Sequence, residues 1–130
     1  MVFVEDIQKL TLENTDYRRV IYTGNYSQLV LMSIPKGEDI EFEIHPNNDQ
    51  FFRIEQGKGE LIIGKEQDKK HLIKDDMGIV VPSNTYHRLI NTGEVPIKLY
   101  TIYSPPHHPK NKIEKYKTTN KSLLKYLLYF

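Results

Sequence analysis

The chain has 130 residues, enough for a single domain that buries roughly two-thirds of its unfolded surface. Its 18 Lys+Arg against 17 Asp+Glu give a net charge of +1, so no overall field recruits nucleic acid or an anionic membrane. Cysteine is absent, which excludes disulfides, thiolate metal sites and cysteine nucleophiles.

Glu5 and Asp6 interrupt the N-terminal Met1-Val2-Phe3-Val4 before a signal-type apolar core can form, and no run reaches the ~18 apolar residues that span a bilayer. The expectation is a cytoplasmic protein. A helical turn is predicted over Glu5 to Leu10, and from Arg18 onward the pattern turns to strands. Arg19 to Thr23 is closed by Gly24-Asn25, and Gln28 to Ile34 is ended by Pro35-Lys36-Gly37. In the second of these, Leu29 and Leu31 oppose Val30, Met32 and Ile34, so both of its faces are expected to be covered.

Ile40 to His45 carries the chemistry. One face of this strand holds Glu41, Glu43 and His45 and the other Phe42 and Ile44. By alternation alone the polar row meets either solvent, with Phe42 and Ile44 in the core, or a cavity. After the turn-like Pro46-Asn47-Asn48 comes Gln50 to Gln56, where Gln50, Phe52 and Ile54 share a face and Arg53 and Glu55 oppose them. Gly57-Lys58-Gly59 is a hairpin turn before Glu60 to Gly64, Lys65 to Lys70 a solvated loop, His71 to Ile73 a short strand. Ile79 to Pro82 ends on a proline that cannot join a ladder. His87 follows on Thr85 to Ile90, facing the same way as Thr85 and Leu89 and away from Arg88. The last strand, Ile97 to Tyr103, stops at Pro105-Pro106. Many short strands with turn signals between them and no intervening helices predict an all-β sandwich or barrel.

Glu43, His45, Gln50 and His87 together offer two imidazoles, one carboxylate and one amide oxygen, a ligand set for a borderline divalent ion such as Zn, Mn, Fe or Ni. Beyond the strands, His107 and His108 adjoin prolines. On an extended chain adjacent side chains point apart, which makes the pair a poor chelate and gives it a surface or outer role. Residues 107–119 read as a basic arm along the barrel. Asn120 caps a predicted terminal helix in 119–130, whose Leu123, Leu124, Leu127 and Leu128 form an apolar stripe for the barrel or a partner subunit.

The spacing of these residues resembles the two motifs of the cupin superfamily. The first motif falls on Gly37, Glu43, His45, Gln50 and Gly57, and the second on Pro82, Asn84, His87 and Asn91. Glu43 stands where the family has a histidine, Gln50 where it has a glutamate, and Asn84 where it has a glycine. Asn tolerates the left-handed backbone that a turn glycine serves, so the last exchange is mild. From Leu10 to Pro109 the chain also resembles small single-domain cupins of the mannose-6-phosphate isomerase-like group.

The resemblance implies a jelly-roll, or double-stranded β-helix, barrel over residues 1–118, a divalent metal held by Glu43, His45, Gln50 and His87, and a homodimer. It turns the polar row of Ile40 to His45 into the barrel, and Phe52 is assigned to the bound substrate. Dimerisation is also expected from the doubly apolar strand Gln28 to Ile34 and from Phe42 and Ile44. Three functions stay open: a metal-dependent sugar or sugar-phosphate isomerase, a non-catalytic sensor barrel for a small sugar or acid, and an iron-dependent dioxygenase. A phosphate would want a cation at the mouth, and Arg53 and Arg88 point outward by parity.

Overall fold

A computed structural model describes residues 1–118; the helix expected in 119–130 lies outside them. After a short helix α1 (Ile7–Glu13) come β1 (Arg18–Thr23), β2 (Gln28–Ile34), β3 (Asp39–Glu43), β4 (Asp49–Gln56) and β5 (Lys58–Ile63). They are followed by β6 (Lys69–Lys74), β7 (Gly78–Val81), β8 (His87–Asn91), β9 (Ile97–Ser104) and β10 (Ile113–Glu114). One sheet has the order β10-β1-β2-β9-β4-β7 and the other β3-β8-β5-β6, with antiparallel pairing throughout. Apart from the consecutive pairs β1–β2 and β5–β6, neighbours in each sheet come from distant parts of the sequence, because the chain crosses repeatedly between the two layers. This is the all-β jelly roll that the alternating short strands predict. No helix of the described residues is long and apolar enough to cross a membrane.

The core lies between the sheets. Val30, Met32, Ile34, Phe52, Ile54 and Leu99 of the larger sheet meet Ile40, Leu61, Ile73 and Leu89 of the smaller. At Gly59 the ladder to β8 is so tight that a Cβ would lie 2.1 Å from the Ile90 carbonyl oxygen. The turn before β8 passes through Asn84 at φ 64, the left-handed conformation its place in the motif requires. Asn91, the last motif residue, ties the end of β8: its amide nitrogen donates to the Ile34 and Val95 carbonyls, each at 2.9 Å, and its oxygen accepts the Gly93 N–H.

The predicted helical turn is observed as Ile7–Glu13: Asp6 caps its start, the carboxylate accepting the Lys9 N–H at 3.1 Å, and Asn14 caps its end. α1 packs on β2, β4 and β9. Beneath it Lys98, on the outer face of β9, donates to the Asn14 carbonyl and to Ser33 Oγ. The outer face of β2 is therefore partly covered by its own chain. Phe42 likewise has an intrachain partner, stacking on Tyr86 with ring centroids 5.2 Å apart.

Past β9 the chain returns along the barrel. The fully buried Gln28 holds this arm: its oxygen accepts the N–H groups of His107 (3.1 Å) and His108 (2.9 Å), and its nitrogen donates to the His108 carbonyl (2.8 Å). β10 then adds to the edge of β1, with Arg18 opposite Glu114.

Candidate metal centre

Strict alternation sends Ile40 and Glu43 to opposite faces of β3. In the structure Ile40 pairs with Leu89 and Glu43 with His87, so three steps along β3 match two along β8 and a β-bulge lies between them. The bulge lets Ile40 enter the core and still turns Glu43 inward beside His87. His45 lies past the strand end, on the loop to β4. Its carbonyl accepts the Asn84 N–H at 2.9 Å, which fastens the loop carrying His45 to the turn that leads into β8.

Glu43 Oε1 lies 3.1 Å from His45 Nε2 and 3.3 Å from His87 Nε2, and one ligating atom of each of the three falls within 4.8 Å of the others. Neither short contact has hydrogen-bond geometry. His87 Nδ1 is 3.0 Å from the Thr85 carbonyl, which requires an N–H there; in the neutral ring that leaves the lone pair on Nε2. Gln50, on β4, is the register partner of Tyr103, whose ring meets that of His45 edge-on at 5.6 Å. The Gln50 amide nitrogen donates to Thr101 Oγ1 at 3.0 Å, so its oxygen is the free end. The structure thus groups Glu43, His45 and His87 directly, with Gln50 next to them across Tyr103.

Among the described residues, Glu43 Oε1, His45 Nε2, Gln50 Oε1 and His87 Nε2 are all buried without a hydrogen-bond partner. Each such atom costs about 1–3 kcal/mol unless something in the site bonds it. The two oxygens carry lone pairs, and each imidazole nitrogen offers one in its neutral tautomer, so a single divalent cation can satisfy all four. The donor set fits a borderline divalent ion, and the outer hydrogen bonds to Thr85 and Thr101 orient two of its members.

Glu43 forms part of the wall of a cavity of about 410 Å³, together with Tyr17, Arg18, His107, His108 and Lys112. The two histidines do not point apart as an extended chain would have them. Their rings pack edge-on 4.8 Å apart, His107 lies 4.4 Å from the His45 ring, and His108 Nε2 is 3.3 Å from the Tyr103 hydroxyl. Burial, then repulsion from His45, lowers the His107 pKa; burial, then Arg18, brings His108 down to about 3.

Phe52 corrects an expectation. It faces inward, as its parity with Gln50 predicts, but it is fully buried in the core with its ring 6.2 Å from that of His87, and it does not line the cavity. Alternation tells which face a side chain takes and not how deep it lies. Arg53 pairs with Glu55 and Asp76, and Arg88 with Asp39, both away from the cavity wall. The cations that do line it are Arg18, Lys112 and Lys117. Arg18 was legible in principle: it opens β1 two residues before the inward Val20, one position ahead of where the sequence pattern starts that strand.

Comparison with known proteins follows the same outline. The model of the Cupin domain family matches residues 30–103. The uncharacterized protein YrkC of Bacillus subtilis is 48% identical over 118 residues, a match spanning 88% of this chain and 63% of that protein. The chain therefore covers less than two-thirds of that relative. An uncharacterized protein of Acanthamoeba polyphaga mimivirus is 49% identical over 114 residues, 87% of this chain and 71% of its own length. A crystal structure from Bacillus halodurans superposes with a TM-score of 0.87 at 42% identity, covering 88% of this chain and 89% of that one. The family model spans more than half of the sequence, its match contains Glu43, His45, Gln50 and His87, and the chain belongs to the cupin family.

Proposed function

We propose that this cupin is a divalent-metal-dependent enzyme acting on a small polyhydroxylated substrate, as a sugar or sugar-phosphate isomerase of the mannose-6-phosphate isomerase-like type. The observation that carries the reading is the set of four buried, unpartnered lone-pair atoms on Glu43, His45, Gln50 and His87, with Glu43 forming part of a cavity wall. When bound there, a divalent ion supplies Lewis-acid polarisation of a substrate carbonyl or hydroxyl. Glu43, His45 and His87 would hold it, with the Gln50 oxygen beside them. Gln50 is neutral, so the set brings a single negative charge and keeps the site electrophilic. The cavity, at about 410 Å³, suits a small-molecule ligand. His107, in its wall with its ring against His45, would take the proton from C2 of a bound aldose and return it to C1 while the O2 hydroxyl proton passes to O1.

The test is metal analysis of the full chain purified without chelators or affinity tags, followed by an NMR screen of aldose–ketose interconversion. About one ion per chain is expected, with turnover lost in Glu43→Ala and His87→Ala. Ligand binding that survives metal stripping, with no sugar turned over, would replace the enzyme by a sensor barrel.

A further inference from the structure

Arg18 faces the barrel interior. It shares a face of β1 with the buried Val20, while Arg19 is exposed. Its register partners are the fully buried Met32 on β2 and Glu114 on β10. Arg18 Nη1 donates to Glu114 Oε1 at 2.8 Å, and Lys112 Nζ lies 3.2 Å from that same oxygen. Two cations share this one carboxylate, so at this end of the wall positive groups outnumber negative ones. Glu41 and Glu43 elsewhere in the lining bring the whole wall, among the described residues, to three cations and three carboxylates. Lys117, by contrast, is matched by Asp39 and Glu41. Arg18 Nε is buried and has no partner among the described residues, the one such donor in a group whose other members are the lone-pair atoms of the metal centre. A cross-strand ion pair requires neither an arginine on the core face of its strand nor a second cation on the same carboxylate oxygen. A guanidinium with an unspent donor is suited to two-point contact with a carboxylate or phosphate.

We infer that Arg18, assisted by Lys112, forms an oxyanion subsite in the cavity wall and that the natural ligand carries a carboxylate or a phosphate monoester. The subsite deepens the proposed function and rests on its reading of this cavity as the substrate site. Glu114 is the internal competitor: it occupies Arg18 and Lys112 until an external oxyanion takes its place.

The test titrates the full chain calorimetrically with inorganic phosphate and with succinate, manganese-loaded and after chelator treatment. Manganese(II) uptake is measured in parallel by electron spin resonance. Saturable binding of at least one anion is expected, weakened about tenfold or more in Arg18→Met, weakened less in Lys112→Ala, and tightened in Glu114→Gln. Preference for phosphate assigns a phosphate monoester and preference for succinate a carboxylate. Should Arg18→Met fail to fold, the opposite shifts of Lys112→Ala and Glu114→Gln decide the matter. Wild-type affinity in Arg18→Met, unchanged affinity in both of the other variants, or no saturable anion binding at all overturns the subsite. Anion binding that depends on Arg18 without manganese uptake keeps the subsite and removes the metal reading. Manganese uptake without anion binding does the reverse.

Discussion

Glu43 and His87 are register partners across the β3–β8 ladder, and they meet on its inner face only because β3 bulges between Ile40 and Glu43. The pair therefore joins two segments far apart in sequence, and an ion held between them would bind the folded chain alone. At a hundredfold excess over its Kd such an ion stabilises by about 2.7 kcal/mol, roughly a 10 °C rise in Tm for a domain this size. In Glu43→Gln and His87→Gln that rise should fall by more than half at the same ion concentration. Thermal melts with and without added manganese or zinc check it; equal rises in wild type and both variants would place the ion elsewhere.

Gln50 tests the composition of the donor set. Thr101 Oγ1 accepts from its amide now and can turn to donate to a carboxylate, so Gln50→Glu should fold normally. A second negative donor should tighten manganese about tenfold. Calorimetric affinities decide: unchanged or weaker binding would put residue 50 outside the coordination sphere.

Acid should weaken the fold through His108. Its pKa falls from 6.5 to about 3, chiefly by burial, so between those values the unfolded chain binds more protons than the folded one. Stability contributed by the neutral ring is complete above about 6.5 and is lost progressively as pH falls towards 3. Asp39 and Glu114 act in the same direction at lower pH: burial raises both, but Lys117 and Arg88 beside Asp39, and Arg18 beside Glu114, bring them below ordinary carboxylate values. His108→Gln should flatten the dependence of the urea midpoint between about pH 6 and 4.5. An undiminished slope in that variant would deny His108 the role.

Gly59→Ala should be among the more damaging single-methyl additions in the barrel. The new Cβ meets the Ile90 carbonyl, a backbone atom of the paired strand, so β5 and β8 must separate locally. A loss of about 2–3 kcal/mol is expected from urea unfolding. Less than ~0.5 kcal/mol would mean that the ladder yields there at little expense.

The strands were readable because alternation and turn residues act locally: Gln28 to Ile34, its two-sided apolar pattern, and the inward set Gln50, Phe52 and Ile54 all match the observed burial. His45 and His87 were found through motif spacing, which stands in for contacts that sequence distance hides. What escaped depends on three dimensions. No local pattern announces the bulge that brings both Ile40 and Glu43 inward. The neighbouring rings of His107 and His108 pack together because Gln28 folds the backbone there, so the rule for extended chains does not apply. Arg18 reads as an unremarkable basic residue until β10 lies alongside it.

Gln28 separates two jobs that one barrel would otherwise have to combine. The atoms of the metal centre sit on β3, β4, β8 and the loop after β3, whereas His107, His108, Lys112 and Glu114 arrive on a returning strap that the Gln28 amide clips down at its start and β1 pairs at its end. Residues 107–112 of that strap precede β10 and can be exchanged without touching the strands that build the jelly roll. A change of tail would thus retune which small molecule is admitted, and by way of His107 how its protons move, while the four atoms that would hold the ion stay on the barrel strands and the loop after β3.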